Sequence, residues 1–232
     1  SNLKSIALPD SLKFIDQVAF CYSGLTSVTT PEKMDSIAWL AFHNCKNLTD
    51  VALNSRAICA NGLFGGCSEL KSIIIGADVK YINSSGNFFD RVFGNNTSPQ
   101  NVKILVDKNN TVYDSGENCN GIIETVTNTL IQGYDMTIIP KSITRIGHAA
   151  FKGCNSITSI CIPENISELG EHAFSNCNGL DNVKVLAKTP PTAYYNTFSN
   201  YDIELCVLEK SIDAYQTTNP WSKFKTLKKI AD

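Results

Sequence analysis

At 232 residues and 43% hydrophobic content the chain can bury a sizeable core. Twenty Lys and Arg against 22 Asp and Glu leave a net charge of -2, so no overall basic field would gather nucleic acid or an anionic membrane surface. The longest unbroken apolar run, Ile37 to Phe42, falls far short of the roughly 18 residues a membrane-spanning helix needs.

From Leu3 onward the chain repeats itself. The first copy places Ile6, Leu8, Pro9, Leu12, Ile15, Ala19, Phe20 and Ser23 at positions that recur 22 residues later from Leu25, as Val28, Pro31, Met34, Ile37, Ala41, Phe42 and Cys45. A third copy opens at Leu48 and carries Val51, Leu53, Leu63, Phe64 and Cys67, with Asn54 in place of the proline. A fourth opens at Leu70 with Ile73, Ile75, Val79 and Ile82. A period in the low twenties headed by Leu-x-x-Ile-x-Ile marks a leucine-rich-repeat solenoid. The fold class expected is therefore an α/β, β-rich repeat solenoid: a right-handed superhelix with one short strand per repeat and short helical or 3-10 turns on the convex side.

Regularity is lost after Ile82. Residues 83–101 hold Phe88-Phe89 and Val92-Phe93 and then an Asn-rich loop, and Val102 to Val106 reads as the next strand. A second irregular stretch, 107–133, alternates apolar and polar residues at Ile122 to Thr125 and Thr129 to Ile131, which predicts a hairpin replacing the convex turn of a repeat. Two regular copies follow from Tyr134 and Ile157, each 23 residues long, and a last strand begins at Leu180 with Val183 and Val185. The solenoid is assigned to 1–185. Residues 186–232, with Thr189-Pro190-Pro191, a strand at Ile203 to Leu208, an amphipathic turn at Ser211 to Tyr215, Trp221 and Phe224, read as a capping segment of the same domain. The other end starts in mid-pattern and offers no such cap.

Nine cysteines suggest a disulfide framework or a metal site. Their placement argues for packing instead: Cys45, Cys67, Cys154 and Cys177 each lie three residues after a repeat phenylalanine, and no C-x-x-C occurs. His43, His148 and His172 all sit beside an Ala-Phe pair and read as solvated surface residues, although His148 and His172 fall at neighbouring offsets near Glu168 and Glu171. No phosphate loop, G-x-S-x-G or H-E-x-x-H appears. No enzyme, cofactor or metal is expected.

Solenoids bind through residues that point out of the sheet, one row per strand. The outward row reads Ser5, Ala7; Ser27, Thr29; Asp50, Ala52; Ser72, Ile74; Ile104, Val106; Met136, Ile138; Ser159, Cys161; Asn182, Lys184. Its apolar middle, from Ile74 to Ile138, is either a protein-binding patch or ground covered by the Ser84 to Gln100 loop. The insertions offer a second candidate: nine of the 23 asparagines lie between Asn83 and Asn120, and Phe88, Phe89, Asn95, Asn96, Asn109 and Asn110 suit glycan or protein recognition as well as plain turn formation.

The unit L-x-x-I-x-IP-x-x-V/I-x-x-IG-x-x-AF-x-x-C resembles the leucine-rich repeat of BspA-like surface proteins of Bacteroidales. The segment with NNTVYD, NCNGIIET and NTLIQG, and the tail with TPP and Trp-x-x-Phe, resemble bacterial members too. The resemblance implies a secreted or cell-surface protein that adheres to host extracellular-matrix or other cell-surface components, without a catalytic residue set; a glycan-binding accessory protein of a surface polysaccharide-handling system is the alternative expectation. Its departures are Ser23 for cysteine, Asn54 for proline, and the interruption after Ile82. No signal sequence opens the chain, so any secretion signal is taken to have been removed or left out of this sequence.

Overall fold

A computed structural model describes residues 2–83, 101–116 and 118–231. The chain winds into stacked coils, and successive coils are joined by parallel strand pairs in register. In the first half the strands alternate between two sheets. β1 (Phe14–Ile15), β3 (Ser36–Ile37), β5 (Ala57–Cys59) and β7 (Tyr81–Asn83) form a narrow lateral sheet, and β2 (Ser27–Thr29), β4 (Asp50–Leu53), β6 (Ser72–Ile75) and β8 (Lys103–Val106) form a wider one. The repeat strand of Leu-x-x-Ile-x-Ile is therefore present, and each coil adds a second, shorter one. The lateral strands hold their place through one buried isoleucine each: Ile15, Ile37, Ile58 and Ile82 stand opposite one another.

The second half repeats the plan. Its lateral sheet runs through β9 (Tyr113–Asp114), β10 (Ile122–Glu124), β11 (Thr129–Gln132), β12 (Arg145–Ile146) and β14 (Glu168–Leu169), and its wide sheet through β13 (Ser159–Ile162), β15 (Asn182–Val185), β16 (Glu204–Leu208) and β17 (Thr226–Ile230). The hairpin expected within 107–133 is β10–β11, but it joins the lateral sheet, where β11 pairs in parallel with β12, instead of standing in for a convex turn. Glu204–Leu208 and Thr226–Ile230 continue the wide sheet through the segment after Val185.

On the third side of each coil the Ala-Phe segment makes consecutive hydrogen-bonded turns. The amide of the cysteine position returns to the phenylalanine carbonyl three residues back, as in Cys45 to Phe42 at 3.3 Å and Cys154 to Phe151 at 3.1 Å. The residue just before that cysteine position has positive φ: Tyr22, Asn44, Gly66, Gly153 and Asn176. A helix needs φ near -60° throughout, so a left-handed residue in each turn stops it after one hydrogen bond. Glycine and asparagine tolerate that conformation, which accounts for four of the five. Gly170, of the Ile/Leu-Gly pair, is required for another reason: a Cβ there would lie 2.6 Å from the His148 amide nitrogen of the preceding coil.

The turns project a column of phenylalanines into the core. Phe20 stacks on Phe42 (5.4 Å between ring centres) and Phe42 on Phe64 (6.0 Å); Phe151, Phe174 and Phe198 stack at 5.1 Å. Phe198 is then met edge-on by Trp221 and Phe224, with Tyr215 of helix α1 (Ile212–Thr217) behind Trp221. Beside the rings runs the cysteine column. Cys45 donates its thiol to Phe20 O at 3.0 Å, Cys67 to Phe42 O at 3.1 Å, and Cys177 to Phe151 O at 3.0 Å. Ser23 takes the same place in the first coil, with its hydroxyl 3.1 Å from Cys45 Sγ. All nine cysteines are free, and burial pushes the Cys154 thiol up and that of Cys177 up to about 12.

Phe151→Ala removes a fully buried ring and is expected to cost about 3–5 kcal/mol in denaturant unfolding, as is Phe174→Ala; a loss well below about 1 kcal/mol would place the rings outside the core. A thiol whose pKa is raised holds little nucleophilic thiolate at pH 8. Alkylation of the native protein should therefore modify exposed Cys161 first and reach Cys154 and Cys177 only on denaturation. Labelling of Cys154 as fast as Cys161 would contradict this.

Candidate partner-binding face

The outward row of the wide sheets is mostly small and polar at its two ends. In the first half it shows Ser27 and Thr29, then Asp50 and Ala52; Ser72 Oγ donates to Asp50 Oδ1 at 2.7 Å. These hydrogen bonds, with Thr49 first, hold the Asp50 carboxyl below the usual carboxylate range. The middle is apolar and open: Ile74 is 40% exposed, Leu105 37%, Met136 58% and Ile138 66%.

One coil departs from the expected row. Ile104 stands opposite Ile73 and is 1% exposed, and Val106 stands opposite Ile75 and packs partly on the core, so neither belongs to the binding face. The outward residues are Lys103 and Leu105, one position earlier. A slip of one residue exchanges the two faces of a strand. Lys103 carried the signal, because an unpaired lysine cannot face an apolar core.

Between β8 and the Met136–Ile138 segment the wide sheet is interrupted by a cleft of about 550 Å³, lined by Lys103, Leu105, Asn118, Asn120, Met136 and Ile138 among others. Asparagine side chains bridge the interruption. Asn120 accepts from Ile104 N at 2.7 Å and donates to Val102 O at 2.9 Å, so its carboxamide makes the two contacts a neighbouring strand would make. Asn110 donates to Gly76 O and Val79 O at 2.8 and 3.0 Å and accepts from the amides of Val112 and Tyr113. Tyr113 Oη accepts from Ile82 N at 2.8 Å, joining the lateral sheets. Asn110 is thus committed to the fold and is withdrawn as a ligand-binding candidate. Asn109 is exposed and its amide donates to Asp107 Oδ1. Phe88, Phe89, Asn95 and Asn96, and the loop proposed to cover the patch, lie outside the described residues.

His43 is buried, contrary to the solvated role expected for it, and burial lowers its pKa. His148 and His172 do meet, edge to face at 5.6 Å, but His172 is occupied by Ser175 and Asn196. At the cleft, burial pushes the Cys119 thiol up to about 12. Among the described residues no group of three or more His, Cys, Asp or Glu is placed to hold a metal, and no helix is long and apolar enough to cross a membrane.

Stacked coils with a strand per repeat, buried phenylalanine and cysteine columns and an open sheet face define a leucine-rich-repeat scaffold. The chain belongs to the BspA-type leucine-rich repeat family, whose repeat model matches six copies over residues 1–118 and 133–228. The crystal structure of the pneumococcal vaccine antigen PcpA is similar over 95% of this chain and 71% of that one, at 15% identity and a TM-score of 0.51. A leucine-rich repeat protein from Bacteroides ovatus is 25% identical over 90% of this chain and 52% of its own, with a TM-score of 0.43. One from Eubacterium ventriosum is 18% identical over 93% and 70%, with a TM-score of 0.48. No curated protein gives a significant match.

Asn120→Ala strips Ile104 N and Val102 O of their partner and is expected to cost about 1–3 kcal/mol in chemical unfolding. Asn109→Ala, at an exposed position, should stay within about 0.5 kcal/mol of wild type. Equal effects would mean that Asn120 does not hold the joint.

Proposed function

We propose that the chain is a non-enzymatic adhesion or protein-interaction module, secreted or displayed at a bacterial cell surface, that grips a protein partner with the outward face of its wide sheets. The observation that carries this reading is the grouping of Ile74, Leu105, Met136 and Ile138, all exposed, in the middle of that face. Polar residues flank them, Asp50 and Ser72 on one side and Ser159 and Lys184 on the other. An apolar centre inside a polar rim is the anatomy of a protein interface: the centre is dehydrated on contact, and the rim sets orientation. The cleft beside Leu105 would receive one anchoring side chain of the partner, the arrangement in which a few residues supply most of the affinity. Family membership supports the class of function, and the partner's identity is open to direct test.

An array of extracellular-matrix and host-surface proteins, probed with wild type, Ile138→Asp and Leu105→Asp, tests the face. Both substitutions are at exposed positions, so thermal unfolding should hardly change. Binding to any partner should fall at least about tenfold. Binding retained by both variants would move the interface elsewhere.

A further inference from the structure

On the turn side of the second half, His172 is held by hydrogen bonds whose directions its neighbours fix. Ser175 Oγ donates its single proton to the Asn196 carbonyl at 3.0 Å. Its 3.1 Å contact with His172 Nδ1 therefore needs the proton on nitrogen. Asn196 Nδ2 lies 3.1 Å from His172 Nε2 and 3.4 Å from Glu171 Oε2. An amide nitrogen can only donate, so Nε2 is the bare, accepting nitrogen. The ring is accordingly neutral, with its proton on Nδ1.

The other end of the same carboxamide is unsatisfied: Asn196 Oδ1 is buried and has no partner among the described residues. Turned over, the carboxamide would bring Oδ1 to His172 Nε2, where a bare nitrogen offers it no proton. One end lacks a partner in either orientation, so the proton on Nε2 decides between the two. Imidazole is the side-chain group that changes charge between about pH 5 and 8.

We infer that His172 and Asn196 form a proton-operated switch on the turn side. Uptake of a solvent proton at Nε2 turns the Asn196 carboxamide over, Oδ1 accepts the new N–H, and Nδ2 leaves Glu171. The bonds from Nδ1 to Ser175 and from Ser175 to the Asn196 carbonyl are common to both states, so the following coil stays docked. The change is confined to the surface: a cation appears at His172, and the Glu171 carboxylate loses its amide partner. The coil before contributes His148, edge to face with the ring at 5.6 Å, and Lys152. The coil of His172 itself contributes Glu171, and the turn after it, Tyr194 to Tyr201, has no charged side chain. Glu171 favours the cation, and a protonated His148 opposes it. Any partner touching this side meets a different surface in mildly acidic and in neutral medium.

The test is an NMR titration of 15N-labelled protein from about pH 8 to about pH 5, the span over which histidine changes charge, following the imidazole nitrogens and the Asn196 side-chain amide. At the alkaline end His172 should show a protonated Nδ1 and a bare Nε2. The Asn196 amide protons should shift with the His172 midpoint, while the Phe174 amide, bonded to Thr197 O at 2.8 Å, stays protected from exchange. His172→Asn, which tolerates the left-handed backbone at φ 57°, should abolish the Asn196 shift, and His148→Gln should leave it in place. The inference fails if neutral His172 carries its proton on Nε2, or if Asn196 does not move over this range. It fails equally if the Asn196 shift survives His172→Asn or vanishes with His148→Gln, or if Phe174 loses protection as His172 titrates, since the coil would then be undocking.

Discussion

Everything in this molecule depends on coil-to-coil registration of the backbone. Amides of one coil donate to carbonyls of its neighbour on all three sides: Lys103 to Lys71 in the wide sheet, Ala38 to Ile15 in the lateral sheet, Phe42 to Leu63 in the turns. Those bonds bring equivalent residues of adjacent coils close together, so a side chain that fits one coil must fit the next. Repetition of sequence follows from that demand. Phenylalanine stacks on phenylalanine, thiols repeat the same bond to a carbonyl of the coil before, and Gly170 stands where the neighbouring backbone leaves no room for a Cβ.

Where registration is interrupted the chain has to satisfy strand edges in another way, because an unpaired buried amide or carbonyl is costly. Asn110, Tyr113 and Asn120 do this with side chains. A side-chain bridge is narrower than a strand, and the space it leaves is the cleft between Leu105 and Met136. The open apolar surface of the sheet face is thus tied to the same irregularity that breaks the repeat. A cleft of about 500 Å³ beside β14 has a different origin: after Val185 the segment from Ala187 to Thr192 runs past β14, with Thr192 as an isolated rung against Glu168.

The scaffold was readable because its determinants are periodic. Ile160, Ile162, Phe174 and Cys177 occur at fixed offsets, and periodic burial has few solutions. The lateral strands were not readable, since two or three residues with a single apolar position give no alternation to detect. At Val102 to Val106 every residue except Lys103 is apolar, so one lysine was the whole of the signal for the register that the pairing of Lys103 with Ser72 displays. Asn110 and Asn120 looked like any turn-forming asparagines, and only their partners, 16 to 34 residues away in sequence, distinguish them from Asn109.

By itself, then, the sequence determined the repeat, its period, the buried columns and the kind of fold, because those rest on residue type at regular spacing. The tertiary structure alone decided which side chains bridge the broken ladder, where the cleft opens beside Leu105, and how Arg145, Glu168 and Tyr194 come together from three coils. Such placements join positions distant along the chain through geometry that no local pattern encodes.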